Sequence, residues 1–144
     1  MVRGFILFSV FLAVAGPQRP FDARGFYFPT QVVTIEGRRL EWLELSRSYA
    51  RIKLSSTPAD SEPRYIDCGR AIISRDTLEV TCRGDEPIGS VTIQGAFVDR
   101  KGGFRDRDMG NDIVLETTVA YKALGGKKAT FSVRYHYGSR ESDN

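Results

Sequence analysis

The chain has 144 residues, with 21 lysines and arginines against 18 aspartates and glutamates, one histidine and two cysteines. Once the leader described below is set aside, about 129 residues remain, enough for one domain with a buried core and too few to require a second. The small basic excess is scattered along the chain, which gives little long-range field and sets nucleic acid aside as an expected partner.

The chain opens MVRGFILFSVFLAVAGPQRP. Arg3 supplies a positive start, Phe5 to Ala15 is apolar and uncharged, and Ala13 with Ala15 gives an A-x-A cleavage pattern. Residues 1–15 therefore read as a secretory signal peptide. An apolar run of about eleven residues falls short of the roughly 20 that cross a bilayer. No membrane association is expected after cleavage, and the mature chain is expected to be secreted or otherwise extracytoplasmic.

Residues 16–30, GPQRPFDARGFYFPT, hold three prolines and the aromatic cluster Phe26, Tyr27, Phe28. Proline cannot donate to a sheet ladder, so this segment is expected to be an extended arm laid over the domain, its aromatics filling a groove. The domain itself is taken as 31–138, with 139–144 a frayed tail.

Within 39–53, Trp42, Leu45, Tyr49 and Ile52 recur at helical spacing, whereas Leu43 and Leu45, then Ala50, Ile52 and Leu54, alternate. Strands are preferred, with a single helix over 39–53 as the alternative. Farther on, CGRAIISRDTLEVTC places Leu78, Val80 and Cys82 on one face. A three-residue turn at 74–76 would bring Cys68 directly across from Cys82, although a bulge at Gly69 would disturb that register. A cross-strand disulfide is expected, and its role is structural because C-x-x-C spacing is absent.

Arg83-Gly84-Asp85 follows at a turn, where an exposed basic and acidic pair could be read by an adhesion receptor; turns also select Gly and Asp for backbone reasons alone. After the strand carrying Val91, Ile93 and Phe97 comes DRKGGFRDRDMGND, residues 99–112. Asp106, Asp108 and Asp112 suggest a calcium loop. Counted from Asp106, however, the EF-hand positions five, six and twelve are Gly110, Asn111 and Thr117, and the segment's four acids are matched by four bases. Calcium is not expected. The segment reads instead as a polar hairpin tip with Phe104 at its apex, and Phe104, Arg105 and Arg107 join Arg83, Gly84 and Asp85 as candidate binding residues.

Ile113 to Tyr121 alternates and carries only Glu116 as a charge, which makes it a candidate edge strand. A three-residue loop at 125–127 would set Tyr121 opposite Phe131 and Val119 opposite Val133, uniting both apolar faces. His136 falls on the face opposite the tyrosines, with Ser132 and Arg134. It could serve as the base of a small hydrolase or nuclease, but nothing in the sequence marks its partners. Glu41 and Glu44 fall on opposite faces of a strand and cannot flank one glycosidic bond. One histidine and two bridged cysteines cannot supply a zinc set, and neither GxxxxGK nor GxGxxG occurs. No cofactor or metal is expected.

The expected fold is all-β: a small antiparallel β-sandwich or partly open barrel of about six to eight strands with one cross-strand disulfide. The expected function is that of a secreted, non-enzymatic binding module with a protein partner, acting through loops on a rigid scaffold. In outline, a signal peptide, roughly six strands and one disulfide resemble the small secreted MAX effectors of plant-pathogenic fungi, a likeness of architecture alone that implies a host-targeted effector or virulence factor. The alternatives are the His136 hydrolase or nuclease, and a structural or envelope oligomer joined through edge strands.

Overall fold

The computed structural model describes residues 21–85, 87–98, 104 and 109–138. The expected signal peptide and the tail 139–144 lie outside these residues, as does most of the loop 99–108.

The described residues form nine strands: β1 Gly25–Pro29, β2 Thr34–Ile35, β3 Arg38–Leu45, β4 Tyr49–Leu54, β5 Arg64–Ile73, β6 Leu78–Arg83, β7 Ser90–Phe97, β8 Ile113–Lys122 and β9 Lys128–Gly138. From β3 to β9 each strand pairs antiparallel with the next in sequence, β9 pairs with β1, and β1 pairs with β3. The sheet is thus an eight-stranded up-and-down barrel, closed, with the short β2 as a ninth strand beside β3. Closure removes the sheet edges. The all-β fold with one disulfide is as the alternation implies.

Closure also corrects two expectations. Within the segment 16–30, expected to be an arm laid over the domain, Gly25–Pro29 are instead the strand that joins the two ends of the sheet. Ile113 to Tyr121 is not an edge, since β8 is paired with β7 on one side and β9 on the other.

Residues 39–53 form strands β3 and β4 rather than a helix. A bulge between Leu40 and Trp42 inserts Glu41 into β3, so the inward series runs Leu40, Leu43, Leu45. The helical spacing of Trp42, Leu45, Tyr49 and Ile52 mixes the two faces of these strands: Leu45 and Ile52 point into the core, whereas Trp42 and the exposed Tyr49 lie on the outer face.

The disulfide Cys68–Cys82 is present, with its Cα atoms 3.9 Å apart, although the turn differs from the expected one. Ile73 pairs with Leu78 across a four-residue turn at 74–77, whose ends are tied by Ser74 N–H to Thr77 O at 2.9 Å. Continued without interruption, that register would set Gly69 opposite Cys82 and turn Cys68 outward. A bulge in β5 at this point, where Gly69 adopts φ +64°, returns Cys68 to the interior. The bulge restores the pairing rather than spoiling it.

At the other hairpin, Ala123 N–H bonds Lys127 O at 2.8 Å and Lys122 pairs with Lys128. The loop is three residues long as expected but occupies 124–126. Val119 therefore faces Phe131, two positions from the expected partner, and the parity that keeps both apolar faces inside is retained.

The barrel interior is filled by its own side chains; Tyr27, Leu43, Ile52, Val80, Ile93 and Tyr135 have no exposed surface. Thr117 donates to the Tyr135 hydroxyl at 3.0 Å inside this core, and burial pushes the Tyr135 phenol up to about 12. One end is closed by aromatic rings: Phe21 packs edge-on to Phe97 at 4.9 Å between centroids, with Tyr27, Phe104 and Tyr137 around them. At the other end lie the buried Val33, Ile35 and Ile88, and Tyr121 donates to the Glu36 carboxylate at 3.2 Å. Arg38, 6% exposed, donates to the carbonyls of Ser55 and Glu62 and to Asp60 at 2.5 Å, which ties the connection between β4 and β5 to this end. Bonding to Glu62 N–H, and then to Arg38, holds the Asp60 carboxyl below its ordinary range.

The bridge closes a short loop, for which the chain-entropy relation gives about 3 kcal/mol. Replacing both Cys68 and Cys82 by alanine should lower the unfolding free energy by about that amount in urea titrations, each analysed with its own slope, since the uncrosslinked unfolded chain exposes more surface. A loss below about 1 kcal/mol would show that the bridge constrains little.

Candidate functional site

The site follows from how the barrel closes. β1 and β3 are paired only at Gly25–Leu45, Phe26–Glu44 and Tyr27–Leu43. Beyond Tyr27, β1 continues along β9, through Phe28–His136, Pro29–Tyr135 and the bond from Thr30 N–H to Arg134 O at 2.8 Å. β3, bulged at Glu41, turns instead toward its hairpin partner β2. The two strands part and leave a groove of about 770 Å³ in the wall, within the size range of ligand sites.

One side of the groove is built from Phe28 and the segment after it, with His136 from the adjoining β9. The His136 ring lies over Phe28 with centroids 5.8 Å apart and planes 26° from parallel. Gln31 is tied down by donation from its Nε2 to Ser132 O. Trp42 forms part of the opposite side. Although the bulge points it away from the barrel axis, it is only 3% exposed, because Phe26 packs edge-on at 5.1 Å and Tyr65 lies at 6.0 Å. Rings from β1, β3 and β5 thus make an apolar seam outside the main core.

Charge is concentrated beside that seam. The Glu41 carboxylate lies 3.3 Å from Lys53 Nζ and 3.6 Å from Arg39 Nη2. Lys53 Nζ also stands 5.7 Å from the centre of the Tyr65 ring, a cation–π arrangement. Among the described residues, the groove therefore combines rings with Arg39, Lys53, the Glu41 carboxylate and the His136 imidazole.

The residues singled out from the sequence fall elsewhere. Phe104 is fully buried among the rings that close the far end of the barrel, so it is not an exposed apex. Arg105 and Arg107 lie outside the described residues. In the RGD turn, Arg83 and Asp85 are exposed, whereas Gly84 has a packing role. A Cβ on Gly84 would meet Ile88 Cγ2 at 2.9 Å, and Ile88 is a buried plug at 1% exposure. Gly84 N–H also bonds Gly89 O at 2.7 Å, closing the turn. Cys68 and Cys82 are joined within the core.

His136 is half-buried on the outer face, as the alternation implies, but it lines a concavity rather than standing on a bare convex wall. The groove residues were not assembled by sequence reasoning, because Phe28, Trp42, Lys53 and His136 come from four strands that only closure brings together. The legible signal was the density of rings in Phe26, Tyr27, Phe28 and Trp42. Comparison with protein-family models, curated proteins and solved structures finds no match for this chain.

Phe104→Ala separates a packing role from an exposed one. Emptying this site should cost about 3–5 kcal/mol of stability, as for other buried phenylalanines. A change under about 0.5 kcal/mol, typical of surface positions, would contradict the burial.

Proposed function

We propose that the chain is a secreted, non-enzymatic binding module, a disulfide-stapled barrel that takes up a protein partner in the groove where β1 parts from β3. The observation carrying this reading is the contrast between a barrel interior occupied by its own side chains and a wall groove that joins aromatic surface to charge. The A-x-A leader and the disulfide support an oxidising, extracytoplasmic setting. That setting, with the chain's small size, is the ground for proposing a host-directed effector role.

Catalysis by His136 has less support. A general base is oriented by a third group, whereas the His136 ring packs on Phe28 and the groove's Glu41 is paired with Lys53 and Arg39. An oligomer joined through β8 loses its basis, because that strand is paired on both sides.

Photo-crosslinking tests the location. A crosslinking residue at Val32, which lines the groove and is 73% exposed, should capture a discrete partner from the secreted and cell-surface proteins of the source. The same residue at Gln94, exposed on β7 across the barrel, should not. Equal capture from both positions, or capture only from Gln94, would place binding elsewhere. Recovery of the full chain from the cytosol with an uncut leader would refute the secreted assignment.

A further inference from the structure

We infer that the barrel mouth at the β8–β9 hairpin docks on an anionic lipid surface, a contact separate from the groove and a departure from the expectation of no membrane association after cleavage. The basic residues are scattered in sequence, but strand register gathers several of them. Arg83 pairs with Ser90, Ser90 with Lys122, and Lys122 with Lys128, so these residues stand in one row across β6, β7, β8 and β9. Their neighbours Cys82, Val91 and Tyr121 point into the core, which puts the row on the outer wall. At the spacing of adjacent strands the row is about 14 Å wide. Lys127 adjoins it, and Arg83, Lys122, Lys127 and Lys128 are all exposed.

Among the described residues, none of these four cations forms an ion pair. The next outward row, Thr81, Thr92, Ala120 and Thr130, is uncharged. Glu79 follows on β6, four positions from Arg83, which at the rise of a strand is about 14 Å. That exceeds the screening length of about 8 Å at physiological salt. At the mouth itself the Glu36 carboxylate accepts from the Tyr121 hydroxyl, and Asp85 lines a depression shared with Arg64 and Tyr65 of β5. Glu86 of the same turn lies outside the described residues, and counting it against the four cations still leaves an excess. Like charges directly opposite across two strands are destabilising, yet Lys122 faces Lys128 with Lys127 beside them. An anionic surface would turn that repulsion into attraction.

The hairpin tip adds an apolar group. Leu124, 61% exposed, stands at the tip between Lys122 and Lys127. The tip is held in place: Gly126 N–H bonds Ala123 O at 2.9 Å, and Leu124 N–H reaches Pro87 O at 3.4 Å. A Cβ on Gly89 would lie 2.1 Å from Lys122 O, so the turn before β7 sits directly against the hairpin. A fixed apolar apex with a basic collar suits the bilayer interface, where the leucine enters the headgroup boundary and the lysines stay with the phosphates. A soluble polyanion would use the lysines and leave Leu124 in water, so lipid is the better match.

Co-sedimentation with vesicles tests the contact. The secreted chain should bind vesicles of phosphatidylserine and phosphatidylcholine in equal parts, more weakly as salt rises, and should not bind phosphatidylcholine alone. Lys127→Gln combined with Lys128→Gln should weaken binding about 25-fold, at about fivefold for each charge removed. Leu124→Ser, which leaves the charge unchanged, should weaken it about threefold or more. Arg134→Gln, which removes a β9 cation paired with Glu116, should leave binding within about twofold. The double lysine variant should melt no lower than the wild type, because it relieves the opposed charges.

Equal sedimentation with both kinds of vesicle, or none with either, overturns the inference, as does indifference to the double lysine variant or to Leu124→Ser. Retention on a sulfated polysaccharide without vesicle binding would assign the row to a soluble polyanion and overturns it as well. The groove is tested separately through Val32, so its standing does not depend on any of these results.

Discussion

The architecture depends on three residue pairs. Gly25, Phe26 and Tyr27 of β1 face Leu45, Glu44 and Leu43 of β3, and this contact turns an eight-strand meander into a barrel. Gly25 is the residue that permits it. Its φ is +143°, and a Cβ there would lie 2.4 Å from the Tyr137 ring. In the space left open, Tyr137 crosses β1 and donates to Arg24 O at 2.6 Å, which locks the start of β1 to the end of β9. A larger residue at position 25 would push apart the strands that close the sheet.

Closure then determines what the side chains can do. Once the sheet closes on itself, alternate residues around the circumference point into one core, and the ends become places where it meets water. Those ends are covered from within the chain, by Phe21 and Phe104 on one side and by Val33, Ile35 and Ile88 on the other. The disulfide joins neighbouring strands inside the same core and so reinforces the barrel from within. Among the described residues the outer wall stays open beside β1, because the β1–β3 pairing is too short to seal it. The groove is the direct consequence of three pairs where a longer ladder could have formed.

Much of the fold was legible from period-two alternation, which is a local property. Leu78, Val80 and Cys82, or Val133, Tyr135 and Tyr137, announce an inward face regardless of what they pair with. The disulfide was legible for a partly compensating reason: the turn is one residue longer than expected, and the bulge at Gly69 restores the parity. Features governed by nonlocal pairing were not legible. β1 resembled an arm because Pro29 and its neighbours suggest irregular chain, yet proline is tolerated where the strand leaves its β3 partner. The false helical spacing of Trp42, Leu45, Tyr49 and Ile52 combined inward and outward residues of two paired strands. Phe104 sits in a charged stretch that reads as solvated, and only the position of the barrel mouth explains its burial. The groove itself could not be read locally, because its walls come from residues more than a hundred positions apart.

Native-state amide hydrogen exchange on β1 tests the closure most directly. A strand paired on both sides opens only with its neighbours, so the amides of Phe26 and Tyr27, where β1 is paired with both β3 and β9, should be protected with opening free energies close to those of β7 and β8. Exchange of β1 at rates near those of an unstructured segment, while β7 and β8 remain protected, would show an open sheet with a loose arm and would contradict the closed barrel.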